Sequence, residues 1–237
     1  MTEPLSDGEA NIAPAKTARP ANHGGAHFIL HWKIALACLS VVVFLALFPK
    51  GDLAVASIFF EKGKGFVKYW ILDWLRSLLP WIIAAALAVS ALLEFKRIAP
   101  KRSLLFTAAC YAIGPGIVVN GIFKEISGRA RPSQIAQFGG NWHFSPAFIF
   151  DGHCEHNCSF TAGDPSVGFA LIAFAFLFPK YRLPLSVAAL IVGFGFGAIR
   201  IVQGGHFLSD VFASAAFTIL TAMMLSKIIL REGARGN

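Results

Sequence analysis

Six apolar stretches, near residues 33–49, 78–95, 103–123, 166–179, 184–201 and 207–229, dominate this chain. Each approaches the length that crosses a hydrocarbon core as a helix. The fourth is short and has to borrow length from the residues around Gly163. With 56% hydrophobic and 14% charged residues, the chain is too apolar for a soluble globule. The expectation is an all-α integral membrane bundle of six helices over residues 29–230. Residues 1–28, rich in Ala, Pro, Gly and Asn, read as a disordered cytosolic tail, and residues 231–237 as a second one. The first 28 residues lack the apolar core of a cleavable signal, so the first span serves as the insertion signal.

Basic residues set the orientation. The compact Lys96–Arg102 cluster votes for a cytosolic loop after the second span, which puts residues 124–165 on the far side. In a bacterial host that side is the periplasm. The net charge of +8 is then explained by topology signals and anionic phospholipid, with no nucleic acid. Between the first two spans, FPKGDLAVASIFFEKGKGFVKYWILDW mixes aromatics with lysines and reads as an interfacial segment anchored by Tyr69, Trp70 and Trp74.

Three polar clusters fall on the expected far side, all at helix ends. In KEISGRARP, Lys124 and Arg131 are seven residues apart, about two helical turns, so a helix would present both on one face. Arg129 falls on another face, as a solvent or headgroup contact. In RIVQGGHFLSD, His206 and Asp210 are four apart at the start of the last span, where a carboxylate can fix the imidazole tautomer. Gly204 and Gly205 permit a tight turn that folds Arg200 back towards His206. The plainer alternative there is a polar cap by Ser209 or Asp210. It leaves Arg200 unexplained, because a cation in an apolar run is costly unless paired or functional. In NCSFTAGDPS, Gly163 can offer a backbone N–H to an anion at a helix N-terminus. Asp164 there is either a helix cap ahead of Pro165 or a proton donor.

Taken together, the clusters resemble the signature motifs of the type 2 phosphatidic acid phosphatase superfamily: K-x6-R-P, then P-S-G-H, then S-R-x5-H-x3-D. They stand here as Lys124–Pro132, as Thr161-Ala162-Gly163-Asp164 and as Arg200–Asp210 preceded by Ala198-Ile199. The similarity spans roughly residues 33–225 and implies a six-helix membrane phosphatase acting on a phosphorylated lipid. It implies that His206 attacks phosphorus to form a phosphohistidine, with Asp210 orienting it. Lys124, Arg131 and Arg200 would hold the non-bridging oxygens, with no metal or other cofactor. The second motif departs from the family, with Asp164 in place of the acid His and Ala162 in place of a phosphate-binding Ser.

Cys158-Ser159-Phe160 and the early FPKGDLAV are similar to a bacterial subgroup of lipid A phosphatases. Asp164 is then the acid, and a weakly donating acid suits a stable leaving group. That favours a glycosyl phosphate, such as the lipid A 1-phosphate, or a lipid diphosphate. Undecaprenyl diphosphate, phosphatidylglycerol phosphate and phosphatidic acid remain alternative substrates. Phosphotransfer to a second lipid and non-catalytic binding remain alternative roles. In DGHCEHNC, Cys154 and Cys158 form either a disulfide or, with His153 and His156, a zinc site. His143, His153 or His156 could also assist Asp164. Cys38 and Cys110 read as core residues.

Overall fold

The computed structural model describes residues 23–150 and 154–230. Of the expected tails, residues 1–22 and 231–237 lie outside the described residues, as does His153, whereas residues 23–28, read as tail, already belong to α1. The architecture is helical, as expected: α1 (His23–Leu47), α2 (Lys50–Ser57), α3 (Trp70–Ser77), α4 (Leu79–Phe95), α5 (Ser103–Ile126), α6 (Gly163–Leu177), α7 (Arg182–Val202) and α8 (Leu208–Leu225, prolonged to Leu230). One antiparallel hairpin, β1 (Phe60–Glu61) with β2 (Gly65–Phe66), interrupts the first connection.

Among the described residues, five helices are long and apolar enough to cross a membrane: Phe28–Leu47, Trp70–Phe95, Ser103–Ile126, Pro179–Val202 and Leu208–Leu230. The sixth, α6, starts at Gly163 and is shorter, 15 residues by its bounds Gly163–Leu177. The second span begins eight residues ahead of the expected 78, because α3 runs almost straight into α4 with Pro80 in its first turn. Large apolar side chains such as Phe44, Leu47, Trp81, Phe95 and Ile191 stay exposed on the outside, as a lipid-facing surface requires.

The centre belongs to α8, which packs against α1 and α5. Its Ala213, Ser214, Ala215 and Ala216 are buried, and small residues let neighbouring backbones approach closely. The α6–α7 crossing works the same way: a Cβ on Gly168 would lie 2.7 Å from the Gly193 backbone. Within α5, Pro115 removes a backbone donor, and residues Ala112–Phe123 wind as a π-helix around it. Asn120 Nδ2 donates 2.7 Å to the Pro115 carbonyl there.

These connections bring four helix ends together. The last turn of α5, the first of α6, the last of α7 and the first of α8 meet at one end of the bundle, beside α3. Residues 127–150 and 154–162 fold over that end, tied by Cys154 N–H to Gly128 O at 2.9 Å and Ser159 N–H to Arg129 O at 2.8 Å. A cluster of Phe66, Ala130, Ile135, Phe138 and Phe207 seats it.

Candidate active site

Two local breaks shape the site. Helix α5 ends at Ile126 and Gly128 adopts φ +62°, so Arg131 lies on extended backbone at φ −76°, ψ 156° rather than on a helical face. The expected helical alignment of Lys124 with Arg131 is therefore not what pairs them. The chain turns back and sets the two cations within reach of one another's charge. At the other break, Gly204 takes φ +65° after α7, and Gly205 N–H returns 2.8 Å to the Arg200 carbonyl. A Cβ on Gly205 would collide with the Arg200 guanidinium, so this turn is what lets Arg200 lie against the loop that carries His206.

His206 is 2% exposed. Its Nδ1 lies 2.6 Å from the Ser159 carbonyl oxygen, which can only accept, so Nδ1 carries the proton and Nε2 keeps its lone pair. Asp210 was expected to accept that proton. Its Oδ2 stands 3.6 Å away, too long for a hydrogen bond. The reason is occupancy: Oδ2 already accepts from Ser159 Oγ at 2.6 Å and from Phe207 N–H at 2.8 Å. Asp210 thus caps α8 and, through Ser159, holds the carbonyl that holds His206. Both sequence readings of this carboxylate, cap and orienter, describe parts of one arrangement. Burial, together with the Arg200 and Lys124 charges, outweighs the Asp210 carboxylate and pushes the imidazole down from 6.5 to about 4. His206 is neutral at physiological pH.

Arg129 corrects the sequence reading most sharply. Expected at solvent or headgroups, it is 1% exposed. Its Nη1 donates to Asp210 Oδ1 and, at 2.8 Å, to Ser209 Oγ; Nη2 donates 2.8 Å to Asp52 Oδ2; Nε donates 2.9 Å to the Ser145 carbonyl. The guanidinium also lies 4.4 Å from the Phe207 ring centroid. The physical reason is the break at Gly128, which swings residue 129 inward, where two buried carboxylates require a cation. Asp52 accepts further from Ser209 N–H at 2.9 Å and from Ser209 Oγ. Burial pushes its carboxyl up, against the pull of Arg129.

Opposite this network, Asp164 occupies the second turn position of α6, whose N-cap residue is Ala162. The helix starts two residues too early for Asp164 to be its cap. Its Oδ2 accepts 2.7 Å from Arg76 Nε and lies 3.3 Å from Arg200 Nε, an ion pair without hydrogen-bond alignment. Asn120 accepts at Oδ1 from Lys124 Nζ, 3.2 Å away, and a Cβ on Gly163 would collide with that same oxygen. Arg131 Nη2 donates 2.7 Å to the Asn157 carbonyl. The structure thus brings Lys124, Arg131, Gly163, Asp164, Arg200, His206 and Asp210 to one end of the bundle. It adds Asp52, Arg76, Asn120, Arg129 and Ser159, which sequence reasoning did not place in the site.

Cys154 and Cys158 are joined as a disulfide immediately before Ser159, so the two thiols are not zinc ligands here. Among the described residues, no group of three or more His, Cys, Asp or Glu is placed to hold a metal ion. His156 is exposed, with Nδ1 3.4 Å from Glu125 Oε2, and His143 is exposed as well. Cys38 and Cys110 are buried and free.

The profile of the PAP2 superfamily matches residues 103–233. Over 211 residues, 83% of this chain and 94% of the relative, the chain is 33% identical to the lipid A 4'-phosphatase of Francisella tularensis subsp. novicida (strain U112). It is 40% identical over 101 residues to the lipid A 4'-phosphatase of Rhizobium leguminosarum, covering 42% of this chain and 43% of that protein. It is 35% identical over 128 residues to the lipid A 1-phosphatase of Rhizobium etli, covering 52% and 50%. The chain thus spans nearly the whole Francisella relative and half or less of these two rhizobial ones. No solved structure matches the chain. With three motifs gathered at one end of a helical bundle and a profile over more than half its length, the chain belongs to the PAP2 superfamily and is similar to that superfamily's lipid A phosphatases.

Proposed function

We propose that this chain removes a phosphate from lipid A through a phosphohistidine on His206, without a metal, at the periplasmic face of an inner membrane. The observation that carries the reading is the state of His206: buried, neutral, with Nδ1 committed to the Ser159 carbonyl and a cluster of cations beside it. That leaves Nε2 as a nucleophile. In the first step Nε2 bonds to phosphorus as the P–O bond to the lipid breaks, and Asp164 gives the leaving oxygen a proton. Lys124, Arg131, Arg200 and the Gly163 N–H take the charge of the non-bridging oxygens. In the second step water attacks phosphorus, its proton passes to Asp164, and the P–N bond breaks to release phosphate. The disulfide beside the site supports an oxidising compartment on that face.

The relative matched along 94% of its length is named for the 4' position, which makes the 4'-phosphate the first reading. The 1-phosphate is the second, favoured by Asp164: a carboxylate shared between two guanidinium groups is a reluctant acid, and an anomeric oxygen needs less help in leaving. The test is phosphate release by the purified protein from lipid A carrying only the 1- or only the 4'-phosphate. Phosphatidic acid and undecaprenyl diphosphate run alongside, with EDTA in every tube. The expected result is EDTA-resistant release from one lipid A form, lost in His206→Ala. Release that persists in His206→Ala, or that stops with EDTA, overturns the mechanism.

A further inference from the structure

The carboxylate of Asp164 is a focus of positive charge. Arg76 from α3 and Arg200 from α7 reach it at 2.7 and 3.3 Å, and Lys124 and Arg131 lie within reach of its charge. Other acids face these cations: Asp73 is 3.4 Å from Arg76 Nη1 and accepts from Gln203 Nε2 at 3.0 Å, while Glu125 and Asp210 lie within charge reach of Lys124 and Arg131 respectively. Arg76 belongs to none of the three motifs and precedes the segment matched by the superfamily profile. The pair is accessible, with side chains 32% and 25% exposed, so it can exchange partners without opening the core. Exposed ion pairs hold weakly, whereas a phosphate dianion offers guanidinium groups more charge and more acceptor oxygens.

We propose that Asp164 is an internal stand-in for the substrate's phosphate, and that Arg76 passes from Asp164 to the phosphate on binding, becoming a fourth phosphate-binding cation. This rests on the reading of the site as a phosphate pocket but not on the chemistry of His206. The exchange resolves the conflict over Asp164. While it holds two guanidinium groups it has no proton to give. Once the phosphate has drawn them off, the carboxylate stands beside a dianion and takes a proton from solvent, the form that donates to the leaving oxygen.

The test is calorimetric titration of inorganic phosphate onto the purified full chain in detergent. The proteins compared are wild type, Asp164→Asn, Arg76→Gln, Arg76→Lys and the Asp164→Asn/Arg76→Gln double variant. Removing the internal competitor is expected to tighten phosphate by about tenfold in Asp164→Asn, and removing the cation to weaken it by about tenfold in Arg76→Gln. Arg76→Lys recovers part of the loss. In the Asp164→Asn background, Arg76→Gln still weakens binding, because Arg76 touches the phosphate itself. Unchanged affinity in Arg76→Gln, weaker binding in Asp164→Asn, or no phosphate binding by wild type overturns the inference. The His206-dependent release assay keeps the two readings apart. If lipid phosphate is still released while Arg76→Gln binds phosphate normally, only the stand-in falls.

Discussion

Two carboxylates flank His206, and they live in opposite surroundings. Asp210 is fully buried, and its oxygens are taken by Arg129, Ser159 and the Phe207 amide, with Asp52 closing the far side of the same guanidinium. Asp164 is part-exposed and answers to cations that the proposed reaction also needs. The first cluster is a closed circuit whose members cannot leave without stranding a buried charge. The second is open to exchange. A phosphoryl-transfer site requires both kinds: fixed groups that keep one imidazole nitrogen aimed, and loose ones that can change partner when a dianion arrives.

The sharpest way to break the comparison is Arg129→Met. It strands Asp52 and Asp210 together, and the expected cost is about 3–5 kcal/mol of stability, read as a collapse in thermal unfolding temperature or in folded yield. A loss below about 1 kcal/mol would mean that the buried circuit is not closed. Arg76→Gln is the matched change on the open side. It should leave stability within about 1 kcal/mol, because its ion pair is part-exposed, while raising KM for the lipid phosphate. Reduction of the Cys154–Cys158 bridge comes next. The bridge spans a sequence separation of only four. It should give up about 2 kcal/mol of stability and loosen Ser159, lowering kcat more than it raises KM. The smallest effect is spectroscopic. With its ordinary value of 6.5 lowered to about 4, His206 is protonated less readily folded than unfolded. It therefore adds stability in full above 6.5 that is lost as pH falls towards 4. Nitrogen NMR of the imidazole should show it neutral at pH values well below 6.5; titration at 6.5 would refute the buried assignment.

How far the sequence reaches differs between the two clusters in the same way. The residues of the three motifs were legible because each lies at a helix end within a short, distinctive spacing. Arg129 was misread because a helix was assumed to run on to Pro132, whereas Gly128 turns the chain inward. Asp52 and Arg76 were hidden for another reason. Their partners lie 77 and 88 residues further along, and no local periodicity encodes such contacts. Asp52 sits in the stretch read as interfacial, where a charge is ordinary, and Arg76 lies two residues past its end. The signal that could have found Arg76 is its place at the head of an apolar span, where a cation is costly unless it has a partner. The short α6 was legible too, since the apolar run after Pro165 could not span alone and the helix starts back at Gly163.

The most direct test of the account is to catch the covalent intermediate. Purified protein is mixed with lipid A labelled in its phosphate, quenched under alkaline conditions that preserve phosphoramidates, and digested for mass spectrometry. The account predicts an acid-labile phosphoryl group on the peptide carrying His206, formed in the presence of EDTA and absent from His206→Ala. Full turnover with no phosphorylated His206 at any quench time, or the label on another residue, would contradict it.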